Sequence, residues 1–297
     1  MTSVILGLPA GAILGGLLAS KILPHTGWQG IFIVGGLVPL ALLVLIFMLL
    51  PESLHFMARS KDTDANSKIE QMLRKINTSV TGSARYIVPE LEVKSSVSSL
   101  FSSDLARNTT AIWLIYMFNW VAWFMFLSWF PTVLKATGFA AEQAPLGTVV
   151  VNAVFVIFAV PFATILPKVN TRKLLLGMFL LGIAMCFALA NSGTNWMLVL
   201  VLAAVATLGI GGQQLVLNYM VAEVYPTALR ATATGWAIGL GRVGAIAGSA
   251  SGGWFLERGG PPGFYLALIG PLVIAALCLT IVKARNAQSA VSPVYRH

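Results

Sequence analysis

Residues 223–253 read EVYPTALRATATGWAIGLGRVGAIAGSASGG, and they decide the fold. An apolar run ends at Glu223, the chain turns through Tyr225, Pro226 and Thr227 with Arg230 close behind, and a second apolar run follows. That run is studded with glycine and interrupted by one charge, Arg242. A guanidinium near the middle of a membrane-length helix costs several kcal/mol by insertion scales, so it is expected to face a protein interior or a water-filled cavity and to mark an ion or substrate path. Gly244, Gly248 and Gly252 recur every fourth residue, as do Gly235 and Gly239. Small residues at that spacing let a neighbouring helix backbone approach closely.

Composition carries the reading outward. Of the 297 residues, 57% are hydrophobic and only 10% charged, more apolar surface than one soluble core can hide. Apolar runs of about 20 residues, enough to cross hydrocarbon as helices, occur at 2–23, 28–50, 109–130, 145–166, 174–191, 196–221, 232–256 and 263–283. The expectation is an all-α membrane protein with eight transmembrane helices.

The net charge of +9 does not point to nucleic acid, because its placement follows the membrane. With Met1 cytoplasmic, segments 51–108, 167–173, 222–231 and 284–297 share the cytoplasmic side. Together with Lys283 at their boundary they hold fifteen of the nineteen Lys and Arg residues. That asymmetry is the positive-inside pattern, and it places both termini in the cytoplasm.

The first run repeats the opening stretch. A shift of 237 positions lays Gly7 on Gly244, Gly11 on Gly248, Gly15 on Gly252, Gly16 on Gly253, Lys21 on Arg258 and Pro24 on Pro261. Six spans separate the copies, so they start on the same side and form a parallel repeat, as in the two halves of certain secondary transporters. With six spans per half and the matched helix fifth in each, four helices of the first half are missing from the chain. The domains read accordingly: 1–53 as the last two helices of an N-terminal half, 54–108 as a cytoplasmic linker, 109–283 as a six-helix C-terminal half, and 284–297 as a cytoplasmic tail.

Chemistry-bearing residues are few. The third run is rich in aromatics, with Tyr116, Trp120 and Trp123 at helical spacing and Asn119 among them, either a lipid belt with packing or a stacking wall for a flat ring. The sixth run carries Gly209, Gly211 and Gly212 and then Gln213, Gln214 and Asn218; Gln214 and Asn218 share a face, while Gln213 points about 100° away. Amides here serve as interhelical glue or line a cavity. No Asp or Glu falls inside a span, so no intramembrane carboxylate is available as a proton relay. Cys186 and Cys278 lie within apolar runs and read as small buried hydrophobes. No metal or cofactor is expected.

Tyr225-Pro226-Thr227, Arg230-Ala231-Thr232, Gly235-Trp236-Ala237 and Gly239 through Ile246 resemble the signature of aromatic acid:proton symporters in the major facilitator superfamily. Gly15-Gly16, Gly27-Trp28, Gly35-Gly36, Pro39 and Pro51-Glu52-Ser53 resemble the family's fifth and sixth helices, and Trp129 to Thr132 its seventh. The loop at Lys168 to Lys173 keeps the family's last two basic positions and lacks its acid and glycine.

The resemblance covers helices five to twelve and implies a partial major facilitator fold in the inner membrane. It implies proton-coupled uptake of a small aromatic carboxylate by alternating access, with no chemical step, so no enzyme. Arg242 would hold the carboxylate, Trp120 and Trp123 would flank the ring beside Asn119, and Gln214 and Asn218 would bind ring hydroxyls. Tyr225, Pro226 and Arg230 would form the cytoplasmic gate. The alternatives are a carrier of another small organic acid or of a sugar, or a truncated remnant that transports nothing.

Overall fold

The computed structural model describes residues 2–49, 96–102, 105–140 and 144–283, and all regular structure among them is helical. They fall into two compact units, residues 18–94 and residues 1–17 with 95–297. The expected linker at 54–108 lies outside the described residues except for its last part, and the tail at 284–297 lies wholly outside them.

Helix α1, Thr2–Leu49, is one apolar run bent at Gly27, whose backbone (φ 66°, ψ −167°) is a conformation essentially reserved for glycine. Most of its second arm, including Phe32, Leu43 and Phe47, is exposed.

The larger unit is a helical bundle. A short 3₁₀ turn, Val97–Phe101, precedes α2, Ala106–Ala136, which is followed by α3, Ala144–Ile165. Helices α4, Thr171–Ala190, and α5, Trp196–Ile210, each start at an asparagine: the Asn170 side chain accepts from the Lys173 backbone N–H and the Asn195 side chain from that of Leu198, both at 3.1 Å. Helix α6, Gln213–Val224, continues α5 after a break at Gly211 and Gly212. Helix α7, Thr227–Ala267, starts after Pro226 and bends at Gly260, and α8, Ile269–Ile281, completes the bundle.

The Gly260 backbone (φ 59°, ψ −165°) nearly duplicates that of Gly27. Both bends sit where one matched apolar run of the sequence repeat gives way to the next, so each merged helix carries two expected crossings. Among the described residues, five stretches are long and apolar enough to cross a bilayer: Gln29–Leu49, Ala106–Ala136, Thr171–Ala190, Trp196–Val224 and Ala228–Ile281, the last 54 residues long and bent at Gly260. Leu146–Ala159 is a shorter apolar helix. The outer surface is apolar, with Leu180, Phe187, Ile246 and Leu277 exposed, the reverse of a soluble bundle. The chain is a multi-pass membrane protein.

Helix α2 is the central element, and α7 lies along it. The glycine stripe explains how. Gly244 and Gly248 press on the backbone of α2 so closely that a Cβ at either would overlap the carbonyl oxygen of Met117 or Val121, and Gly252 lies under the Trp129 ring. The Trp129 indole N–H then donates to the Ser249 carbonyl at 2.8 Å. The other pair, Gly235 and Gly239, faces open space instead. A second close crossing joins α4 to α5, where Gly182 and Gly209 meet backbone to backbone.

Candidate functional site

Helices α2, α6 and α7 bring the polar residues together in two separate groups. The interior group exists because of the helix break. At Gly211 and Gly212 both backbone N–H groups turn to the Thr207 carbonyl (2.8 and 3.1 Å), and those of Gln214 and Leu215 reach only to Gly211 and Gly212. The carbonyls of Gly209 and Ile210 therefore lose their helical donors, a costly state away from water. Side-chain amides replace them: Asn119 donates to the Ile210 carbonyl at 3.0 Å and to Gln213, and Gln213 donates to the Gly209 carbonyl. Asn119 and Gln213 are both buried. The sequence offered Asn119 as a substrate contact, and in the structure its amide is committed to α5 and α6.

The second group is partly open. Tyr116 Oη donates to Asn218 Oδ1 at 2.7 Å, Gln214 Nε2 donates to the same oxygen at 3.3 Å, and Trp120 Nε1 donates to Gln214 Oε1 at 2.5 Å. Arg242 closes the series, its guanidinium carbon 5.3 Å from the centroid of the Trp120 ring. That is within range of a cation–π attraction. The Trp120 ring is seated against Gly241, where an added Cβ would stand 3.0 Å from it. Arg242 itself is exposed among the described residues. It makes no hydrogen bond or ion pair among the described residues. Asn218 is in a related state, since its oxygen is used twice and its amide N–H groups are free within the same residues.

Trp123 belongs elsewhere. It packs against Gly211 and stacks on Phe126 and Phe155 at centroid distances of 6.4 and 6.0 Å, so the two tryptophans offered as flanking walls have different partners. The Tyr116 hydroxyl, left out of the sequence-derived site, is part of it; its spacing of four from Trp120 was the available signal.

The turn after α6 forms a third cluster. Tyr225 is buried, its hydroxyl donating to Thr109 Oγ1 at 2.9 Å, and Thr109 donates to the Leu100 carbonyl at 2.7 Å. Arg230 Nε donates to the Tyr225 carbonyl at 3.1 Å across the bend that Pro226 sets. Burial pushes the Tyr225 phenol above its ordinary range, opposed in part by the Thr109 hydrogen bond. Beside it, Asn108 exchanges two hydrogen bonds with the Lys283 backbone (3.0 and 2.9 Å), fastening the end of α8 to the start of α2. The sequence reading did not anticipate this clasp. The described carboxylates are Glu223, at the end of α6, and Glu257, inside α7 before its bend, both exposed. The described residues hold no cluster of metal-ligating side chains.

Known proteins share this arrangement of sequence. The chain is 33% identical over 282 residues to a gallate transporter of Pseudomonas putida, an alignment covering 94% of this chain and 62% of that protein. It is 32% identical over 286 residues to the 4-hydroxybenzoate transporter PcaK of the same organism (93% and 62%) and 25% identical over 296 residues to a benzoate transport protein of Acinetobacter baylyi (96% and 62%). The chain thus spans less than two thirds of the length of these relatives. The sequence pattern of the Major Facilitator Superfamily matches residues 1–190 and again 112–294, two overlapping placements that take in almost every residue. A helical, multi-pass chain matched over that extent belongs to the Major Facilitator Superfamily.

Proposed function

We propose that the chain is part of a proton-coupled secondary transporter that takes up a small aromatic carboxylate of the benzoate or hydroxybenzoate type by alternating access, with no chemical step. It lies in the inner membrane with both termini cytoplasmic. Residues 1–53 are the last two helices of one half, 54–108 the linker, 109–283 the other half and 284–297 the tail.

The observation that carries this reading is Arg242, an exposed guanidinium beside a tryptophan ring and without an anionic partner among the described residues. Such a group suits a carboxylate, which it can grip through two parallel N–H donors. The Trp120 ring, buried against Gly241, sets the guanidinium at the edge of the place an aromatic ring would take. The Asn218 amide N–H groups suit a ring hydroxyl, and Gln214 fixes both the Trp120 indole and the Asn218 amide in place. Trp123 and Asn119 act behind this surface, one by packing and one by holding the broken helix. Tyr225, Pro226 and Arg230 form the cytoplasmic gate. The printed functions of the relatives, carriers of gallate, 4-hydroxybenzoate and benzoate, support the same substrate class.

The test is equilibrium binding of labelled 4-hydroxybenzoate to the purified chain in detergent, with arabinose as the competitor of a different class. Arg242→Ala is expected to abolish binding and Arg242→Lys to retain a small part of it, since lysine keeps the charge and loses the planar fork. Unchanged affinity in Arg242→Ala, or displacement by arabinose, contradicts the proposal.

A further inference from the structure

A cavity of about 390 Å³ lies in the larger unit, and none of the residues of the Arg242 group lines it. Phe158 and Phe162 of α3 form one wall, Gly177 and Met178 of α4 the other, and Leu215 of α6 contributes to the floor. Its lining is apolar apart from one side chain, Lys173, in the first turn of α4. Helix α4 spans Thr171–Ala190, long and apolar enough to cross the bilayer, so Lys173 stands at the headgroup boundary and the cavity extends from it into hydrocarbon depth.

Helix bundles pack with few voids larger than a water molecule, so a space of this size bordered by α3, α4, α5 and α6 offers room for a ligand. Gly177 gives it room: a Cβ there would meet nothing within 4 Å. The charge at the mouth is available. Arg172 donates to the Thr280 carbonyl at 2.7 Å, whereas the exposed Lys173 ammonium makes no hydrogen bond or ion pair among the described residues. Lys168 adds a second exposed cation three residues before the helix, and the positive end of α4 adds to the field.

We propose that this cavity is a binding site for one anionic phospholipid, with an acyl chain between α3 and α4 and its phosphate on Lys173. Basic groups at the mouth of an interhelical pocket recognise anionic headgroups in this way. A hydroxylated aromatic acid fits less well. Its carboxylate would find Lys173, but its hydroxyls would be buried against phenylalanine, methionine and leucine with no hydrogen-bond partner.

Native mass spectrometry of the purified 297-residue chain, titrated in detergent with dioleoylphosphatidylglycerol or dioleoylphosphatidylcholine, tests this. The parent is expected to hold one phosphatidylglycerol more tightly than phosphatidylcholine. Lys173→Gln should weaken phosphatidylglycerol about fivefold and leave phosphatidylcholine unchanged, because only the charged contact is removed. Gly177→Leu, whose Cβ enters open space on the cavity wall, should weaken both lipids about tenfold or more while its melting temperature stays at or above the parent's, leucine being the better helix former. Phosphatidylglycerol binding equal to the parent's in Gly177→Leu overturns the site. Equal binding of the two lipids by the parent overturns the role of Lys173, and displacement of the tight lipid by 4-hydroxybenzoate overturns the choice of lipid over acid.

Discussion

The Arg242 guanidinium carbon stands 5.3 Å from the centre of the Trp120 ring, and the same indole donates its N–H to Gln214 at 2.5 Å. One tryptophan therefore sets the position of the guanidinium and holds the amide pair on α6. A double-mutant cycle of Arg242→Gln and Trp120→Leu, read as unfolding free energy in detergent, is expected to show a coupling of about 0.5–1 kcal/mol, the scale of an exposed cation–π pair. Strictly additive effects would mean that the two groups act independently.

Asn119 is expected to behave as a structural residue. Asn119→Leu leaves the Ile210 carbonyl and the Gln213 amide without their partner, which should cost about 1–3 kcal/mol by the price of orphaned buried polar groups. Thermal unfolding in detergent measures this. Affinity for the ligand, corrected for the folded fraction, should change less than threefold; a large loss with normal stability would return Asn119 to the binding surface.

The glycines of α7 separate into two classes. Gly248→Val puts a side chain into the Val121 carbonyl, and the overpacking should cost about 1–3 kcal/mol or more. Gly239→Ala faces open space and should leave the melting temperature unchanged or slightly raised, since alanine is the better helix former. Equal losses at both positions would show that the whole stripe is packed.

Tyr225 predicts an alkaline limit. Its phenol is raised by burial, so the folded state keeps the proton that an unfolded chain releases near the ordinary value of 10.0. The stabilisation is complete below that value and is lost as pH rises through the folded-state value. Comparing melting temperatures at about pH 8 and about pH 11, the parent should lose more than Tyr225→Phe, which has no phenol to ionise. An identical loss in both would place the alkaline sensitivity elsewhere.

Apolar runs of membrane length, the repeat of Gly7 to Pro24 in Gly244 to Pro261, and the signature around Arg242 determined class and family from the sequence alone. They are legible because the bilayer obliges every crossing backbone to satisfy itself within a long apolar segment, a constraint written locally in the chain. The tertiary structure decided what the polar residues do. Asn119 and Trp120 are neighbours in sequence, yet one amide is consumed by the carbonyls freed at the Gly211 break while the other side chain supports Arg242. It also decided which glycines pack, setting Gly244 and Gly248 on α2 and leaving Gly235 and Gly239 open. Spacing places residues on a helix face, but the partner that meets that face comes from distant segments, and only their packing fixes whether an amide holds the fold or meets a ligand.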